Sequence, residues 1–146
     1  MKATMNESTR VKIAVYGPKI NIIQEVVCDY FGEPVSESRK HTRVDSSIRL
    51  RKAIFYFTGI YCKGCDLAVI GLICGNGQAF DHATISHARK VARRELDLRT
   101  IKGNYVNPDM RRDYDFIRMN IDSRIPSART TEWLEGFAVN SGNFLN

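Results

Sequence analysis

The stretch FDHATISHARK, residues 80–90, places two histidines, a threonine and a basic pair at the head of one predicted helix. Asp81 is a favourable N-cap, so His82, Ala83 and Thr84 would form the first turn. Short donors and acceptors in such a turn reach base edges in a DNA major groove, and a helix N-terminus favours phosphate. These residue types indicate recognition of a nucleic acid. A surface helix with histidines placed at random is the alternative.

The rest of this helix keeps apolar and polar side chains apart. Ile85, Ala88, Ala92 and Leu96 recur at helical spacing, which predicts one buried stripe. The remaining faces carry Ser86, His87, Arg89, Lys90 and Arg93. We expect these side chains to project into solvent, where Arg89, Lys90 and Arg93 would meet phosphates.

Positive charge is concentrated in two places. The chain has a formal net charge of +6. The first cluster, residues 39–52, has Asp45 as its only acidic residue and contains Arg39, Lys40, Arg43, Arg49, Arg51 and Lys52. The second contains Arg89, Lys90, Arg93 and Arg94. The clusters favour an anionic partner, with two solvated faces as the alternative reading.

The four cysteines offer weaker chemistry. Cys62 and Cys65 have the C-x-x-C spacing of half a zinc site, which Cys28, Cys74 or a histidine could complete, but no second close pair exists. Cys28 and Cys74 each lie in an apolar stripe, where a cysteine behaves as a small hydrophobe rather than as a nucleophile. We therefore expect buried or turn thiols, no metal, no cofactor and no catalytic residues; the chain is not expected to be an enzyme.

The first elements of the chain position these residues. Residues 1–18 are polar with a short apolar alternation, and Gly17-Pro18 predicts the end of a loose arm that holds at most a short strand. Apolar residues between Ile20 and Phe31 recur at helical spacing and predict a helix that Gly32 ends. Residues 33–47 read as a polar, basic loop.

That loop leads to a predicted helix–turn–helix arrangement. A helix from Ile48 to Tyr61 would have its N-cap among residues 45–47. Gly64 then marks a turn, and Asp66 would cap the short apolar helix LAVIGLIC. GNGQAF is a Gly-rich turn before the helix from His82 to about Leu96. A short helix, a turn and a long helix follow one another in a helix–turn–helix unit.

The chain changes character after residue 97. A loop is followed by a weaker helical pattern, MRRDYDFIRMNI, and by a linker that precedes the apolar cluster of Trp133, Leu134 and Phe137. We expect an N-terminal arm at residues 1–18, a DNA-binding domain at residues 19–97 and a helical or irregular C-terminal extension at residues 98–146. The extension could self-associate, recruit a replication protein or pack across the helical core.

DHATISHA resembles the signature Asp-His-(Thr/Ser)-Thr-Val-x-His-Ala in the C-terminal DNA-binding domain of DnaA, the bacterial replication initiator. The matching residues are Asp81, His82, Thr84, Ile85, His87 and Ala88, and Ala83 departs from the pattern. Upstream, LRKAIFYF, LAVIG and IIQEVVCDYFGEPVSE resemble earlier helices of that domain. The resemblance spans about residues 20–96 and implies an all-α, Trp repressor-like fold with a helix–turn–helix.

The resemblance also implies roles for individual residues. Arg43 would enter the minor groove, and base contacts in the major groove would fall to Arg51, Asp81, His82 and Thr84. Lys52 and His87 would contact phosphates. Lys52 replaces the family's usual Gln, and GNGQAF is longer than the family's Gly-Gly-Arg turn, so the preferred sequence can differ. The other basic candidates, Arg39, Lys40, Arg49, Arg89 and Lys90, would supply salt-sensitive attraction to any DNA sequence.

The function that this implies is sequence-specific binding of double-stranded DNA in replication initiation or its control. No G-x-x-x-x-G-K-[ST] loop is present, so no nucleotide is expected. A free-standing domain of this kind is expected of a phage or other mobile element. A transcriptional regulator, and a protein-interaction module that has lost specific DNA binding, are the alternatives.

The N-terminus lacks the apolar core of a secretory signal, and no apolar run approaches the roughly 18 residues of a membrane span. We therefore expect a cytoplasmic protein, in the bacterial nucleoid or in the host cytoplasm if phage-encoded.

Overall fold

The structure is a computed structural model that describes residues 6–125. Over this range the chain forms helices without any β-strand, and the one β-type contact is an isolated bridge between Arg99 and Tyr105. The helices are α1 (Glu7–Tyr30), α2 (Val35–Ser38), α3 (Asp45–Tyr61), α4 (Leu67–Cys74), α5 (His82–Asp97) and α6 (Pro108–Arg124). The prediction of an all-α protein is confirmed for these residues.

The core lies between the three longest helices and α5. α1 packs against α3, α4 and α6, and α5 packs mainly against α3. The fully buried side chains include Ile20, Ile23, Leu50, Ile54, Phe55, Phe57, Ile70, Ile85, Ile117 and Ile121. Every long helix contributes to this set, so the described residues share one apolar core. None of the helices in this range is both long and apolar enough to cross a membrane.

The first helix begins earlier than the sequence predicts. α1 starts at Glu7, where the Asn6 side chain accepts a hydrogen bond from the Thr9 amide at 2.8 Å. The expected loose arm is therefore wrong for residues 7–18, and Pro18 lies inside the helix. A helix-interior proline removes one backbone hydrogen bond. On the N-terminal side of Pro18, Lys12 forms an ion pair with Asp66 at 2.6 Å.

The C-terminus of α1 follows the predicted rule. Gly32 has a φ of +70°, a conformation that suits a residue without a Cβ atom. Its amide donates to the Asp29 carbonyl at 3.1 Å, and the Glu33 amide donates to the Cys28 carbonyl at 2.9 Å. This pair of bonds is a Schellman motif, which satisfies the last carbonyls of the helix. The prediction that Gly32 ends the helix is confirmed.

The start of α3 differs from the prediction of an N-cap among residues 45–47. The N-cap is Val44, and no side chain caps the helix. The hydroxyls of Ser46 and Ser47 donate instead to one carboxylate oxygen of Glu37, at 3.3 and 2.8 Å. Glu37 also forms an ion pair with Lys40 at 2.8 Å. These hydrogen bonds attach α2 to the first turn of α3, so the serines serve tertiary structure rather than capping.

The segment after residue 97 joins the same core. Tyr114, Ile117, Ile121 and Ile125 are buried, and the Tyr114 ring lies 5.3 Å from that of Phe57. For residues 108–125, the expected extension thus packs across the helical core. The predicted cluster at Trp133, Leu134 and Phe137 lies outside the described residues.

Candidate nucleic-acid interface

The first turn of α5 is built as its sequence predicts. A side-chain oxygen of Asp81 accepts a hydrogen bond from the Thr84 amide at 2.7 Å, which confirms Asp81 as the N-cap. This hydrogen bond makes the largest contribution to lowering the pKa of Asp81, and a hydrogen bond with the Thr84 side chain makes the next largest. His82, Ala83 and Thr84 are exposed. The turn therefore presents a carboxylate, an imidazole and a hydroxyl to the outside.

The other side of α5 is fixed to the core. Ile85, Ala92 and Leu96 are buried, and Ala88 is half-buried. The predicted apolar stripe is confirmed, and it packs mainly against α3. The exposed side chains His82, Lys90 and Arg93 lie on the remaining faces of the helix.

Two glycines fix the approach of α4 to α5. The Phe80 amide donates to the Gly71 carbonyl at 3.2 Å. A Cβ atom on Gly71 would lie 2.2 Å from the Phe80 carbonyl oxygen, and one on Gly75 would lie 2.0 Å from that of Gln78. Since both obstacles are backbone atoms, neither position accommodates a side chain without moving the turn. The start of α5 is thus positioned by backbone-to-backbone contact.

The predicted loop at residues 33–47 contains α2 and the start of α3, and residues 39–44, called the basic loop from here on, lie beside this helix start. The His41 ring stacks on the Phe80 ring with centroids 4.0 Å apart and planes 15° apart. Arg51 of α3 donates to two loop carbonyls, those of Lys40 at 2.5 Å and Thr42 at 2.6 Å. Burial lowers the pKa of the Arg51 guanidinium, which nevertheless stays charged. Phe80 directly precedes the N-cap of α5, so one ring connects the loop to the helix.

The loop, α3 and α5 enclose a single groove. Among the predicted site residues it is lined by Arg43, Arg51, Lys52, Thr84 and His87. The other lining residues are His41, Thr42, Ile48, Phe55, Phe80, Ala88, Val91 and Glu95. The structure thus brings the predicted minor-groove arginine and part of the predicted major-groove set to one surface.

Lys52 shares the groove with an acidic partner. Its ammonium lies 2.6 Å from a carboxylate oxygen of Glu95, and both side chains are partly buried. A phosphate that approached Lys52 would compete with this carboxylate. The predicted phosphate contact by Lys52 therefore requires the ion pair to open.

Arg89 does not project into solvent as the sequence predicts. Its Nε donates to the Phe55 carbonyl at 2.9 Å, and Nη2 donates to the Thr58 hydroxyl at 3.0 Å. Gly59 makes room for it, because a Cβ atom there would lie 3.1 Å from Nε. The pKa of the Arg89 guanidinium is lowered, and burial is the main cause. Arg89 therefore joins α5 to α3 instead of being offered to a phosphate.

Three cations of the first cluster also have partners within the fold. Arg39 donates to the amide oxygen of buried Gln24 at 3.1 Å, and Arg49 lies 4.5 Å above the Phe31 ring. Lys40 is exposed but paired with Glu37. Neither Arg39 nor Arg49 lines the groove. The cations of the first cluster therefore do not all face the groove, although they are close together along the chain.

Four exposed cations of the two basic clusters are left without such partners. Within residues 6–125, the side chains of Arg43, Lys90, Arg93 and Arg94 form neither hydrogen bonds nor ion pairs. Arg43 lies in the basic loop and the other three lie on α5. These positions are where an anionic ligand would meet uncompensated charge.

Two residues of the surface escape the sequence reasoning. Phe80 would count only as an apolar residue before a cap, and His41 only as one polar residue of a loop. Their stacking depends on the path of the loop relative to α5, which no local pattern specifies. A histidine inside a basic run and an aromatic residue directly before an N-cap are the only signals available.

The thiols lie apart from this surface. Cys28, Cys62 and Cys74 are buried, and burial raises the pKa of Cys62 to about 11 and that of Cys74 to about 12. Such thiols remain protonated and are poor nucleophiles at neutral pH. In the described part of the chain, no three His, Cys, Asp or Glu side chains are placed to hold a metal ion.

Comparisons of the chain with family models, with curated proteins and with solved structures give no match in any of the three.

Proposed function

We propose that this protein binds double-stranded DNA in a sequence-specific manner and acts in replication initiation or its control. In this proposal α4, the turn and α5 form the helix–turn–helix of a Trp repressor-like fold. α5 enters the major groove by its N-terminal turn, and Arg43 enters the adjacent minor groove. The observation that carries the proposal is that the basic loop stacks on Phe80, the residue directly before the N-cap of α5, and that the loop and α5 line one groove.

The dimensions and surface of α5 support this docking. A helix with its side chains is about 10–12 Å across, close to the ~12 Å width of a major groove. His82 and Thr84 are exposed where base edges would be met, and Asp81 retains a second carboxylate oxygen beside its capping bond. Each well-formed base contact contributes about 1–3 kcal/mol of discrimination.

Affinity would come mainly from the uncompensated cations. Lys90, Arg93 and Arg94 follow the reading turn along α5, so they are placed to meet phosphates. Arg39, Arg49 and Arg89 have internal partners and are not part of the proposed interface. The assignment to replication rather than transcription rests on the resemblance of DHATISHA and its upstream helices to the initiator family.

Fluorescence anisotropy of the full chain tests the proposal. A labelled duplex that carries TTATCCACA is compared with a scrambled duplex over a salt series, for the wild type, Arg43→Ala and His82→Ala. Arg118→Ala is the matched control, since Arg118 is an exposed arginine of α6 that does not line the groove.

We expect a preference for the specific duplex that persists at moderate salt and fades in Arg43→Ala and His82→Ala but not in Arg118→Ala. Equal binding of both duplexes, lost together as salt rises, would leave only the phosphate contribution. A selection from random sequences would then show whether a different sequence is preferred; if none is, the proposal is wrong.

A further inference from the structure

The guanidinium of Arg51 is occupied by the backbone of its own chain. One Nη donates to the Lys40 carbonyl and the other to the Thr42 carbonyl, at 2.5 and 2.6 Å. These carbonyls flank His41, so Arg51 fixes the loop on both sides of that residue. A bidentate contact with guanine uses the same fork of N–H donors. Arg51 cannot make both sets of bonds with the same N–H groups.

A second set of contacts holds the same loop through the Phe80 ring. The Phe80 ring is stacked by His41, and the Arg51 guanidinium carbon lies 5.2 Å from its centroid. The Phe55 ring meets Phe80 edge-on at 5.7 Å. Because Phe80 is almost fully buried, this support belongs to the apolar core. The loop is therefore fixed both through its backbone and through one side chain.

We propose that Arg51, together with His41 and Phe80, is a positioning residue that holds the basic loop in its DNA-binding shape before DNA arrives, and that Arg51 does not itself read a base. The effect of this positioning on DNA affinity rests on the proposed function. The inference departs from the base contact that the family resemblance implies for Arg51. The residue that Arg51 positions is Arg43, one position beyond the Thr42 carbonyl.

The consequence for binding follows from the populations of the loop. When only a fraction of the protein holds the competent conformation, the apparent dissociation constant rises by the inverse of that fraction. A loop that is competent a tenth of the time would therefore weaken binding about tenfold. This loss requires no lost contact between Arg51 and DNA.

Arg51→Lys is the informative variant, because it keeps the charge but cannot bridge two carbonyls with a planar fork. Arg111→Lys is the matched control: Arg111 also donates to a backbone carbonyl, that of Leu96 at 2.8 Å, and lies 3.7 Å above an aromatic ring, that of Tyr105. His41→Ala removes the stacking contact from an exposed position, so it supplies a second route should Arg51→Lys fail to fold.

The first measurement is NMR relaxation of the backbone amides in the DNA-free protein. We expect order parameters of residues 40–43 to fall from about 0.85 toward 0.6 in Arg51→Lys and His41→Ala, and to stay unchanged in Arg111→Lys. An equally rigid loop in both groove variants would overturn the proposal. Because no DNA is present, this result does not depend on the proposed function.

The second measurement is a double-mutant cycle of Arg51→Lys with Arg43→Ala, followed by affinity for the specific duplex. If Arg51 acts through Arg43, we expect Arg51→Lys to weaken binding about tenfold alone and to add no further loss in the Arg43→Ala background. The slope of affinity against salt should change little, since the charge is kept.

Independent losses from the two substitutions would show that Arg51 touches DNA itself and would overturn the proposal. Absence of any specific binding by the wild type would instead remove the proposed function, while the NMR result on the loop would stand.

Discussion

The first turn and the middle of α5 carry polar side chains of similar kinds, but they make opposite contacts. His82 and Thr84 in the first turn are exposed, whereas Arg89 in the middle donates into α3. Further along, Glu95 is paired with Lys52 of α3. The helix is thus attached along its middle and end, which leaves its beginning available for a ligand. In the proposed function, the attached middle and end of α5 hold its first turn in place for contact with DNA.

The strongest way to break this division is to move the start of α5. Gly71→Ala should destabilise the protein by about 3 kcal/mol, because its Cβ atom would meet the Phe80 carbonyl oxygen at 2.2 Å. Gly59→Ala should change stability by about 1 kcal/mol or less, since its Cβ atom would displace the Arg89 side chain from 3.1 Å while alanine favours the helix more than glycine does. Urea unfolding of the two variants measures the difference. Equal costs would mean that the turn accommodates a methyl group.

Neighbouring cations on α5 should separate attachment from ligand contact. Arg89→Ala should lower the free energy of unfolding by about 2 kcal/mol, because two buried acceptors lose a charged donor. Lys90→Ala should change it by less than about 0.5 kcal/mol but reduce the salt slope of DNA binding by about one. Denaturation and salt-dependent anisotropy, run on both variants, check this. A stability loss in Lys90→Ala would contradict the assigned contacts.

Acid should weaken the first turn through Asp81. Since the folded-state pKa of Asp81 is lowered, its contribution to stability is complete above the ordinary pKa of about 3.9 and is lost as pH falls through the folded-state value. Asp81→Asn keeps a capping acceptor that does not titrate in this range. We expect this variant to lack that part of the acid destabilisation. Unfolding curves between about pH 5 and pH 2 test it, and identical pH profiles would refute it.

The smallest effect concerns the ion pair in the groove. Glu95→Gln should cost less than about 1 kcal/mol of stability, because the pair with Lys52 is partly exposed. It should strengthen DNA binding and steepen its salt dependence, since Lys52 would become available to a phosphate. Anisotropy at several salt concentrations measures both. Unchanged binding would place Lys52 outside the contact surface.

Features set by neighbouring residues could be predicted from the sequence. The Asp81 cap, the Gly32 terminus and the stripe of Ile85, Ala92 and Leu96 each depend on residues within a few positions along the chain. The first turn of α5, the central part of the candidate site, was predictable for the same reason.

Features set by distant contacts could not be predicted in this way. Arg89 packs into the space left by Gly59, and the serines at the start of α3 bind Glu37 instead of capping the helix. The first helix also continues past Pro18. Counting charge along the chain could not separate Arg43 from Arg39 or Arg49, because partners elsewhere in the fold decide which cations stay uncompensated.

The packing of α6 against the core limits which fragments of the chain can fold. Tyr114 contacts the rings of Tyr56 and Phe57, and Arg124 forms an ion pair with Glu25 of α1. A fragment cut after residue 97 would expose the apolar surfaces that α6 covers, which favours aggregation. Any piece transplanted into another protein must therefore carry α6 together with the first five helices to keep this core.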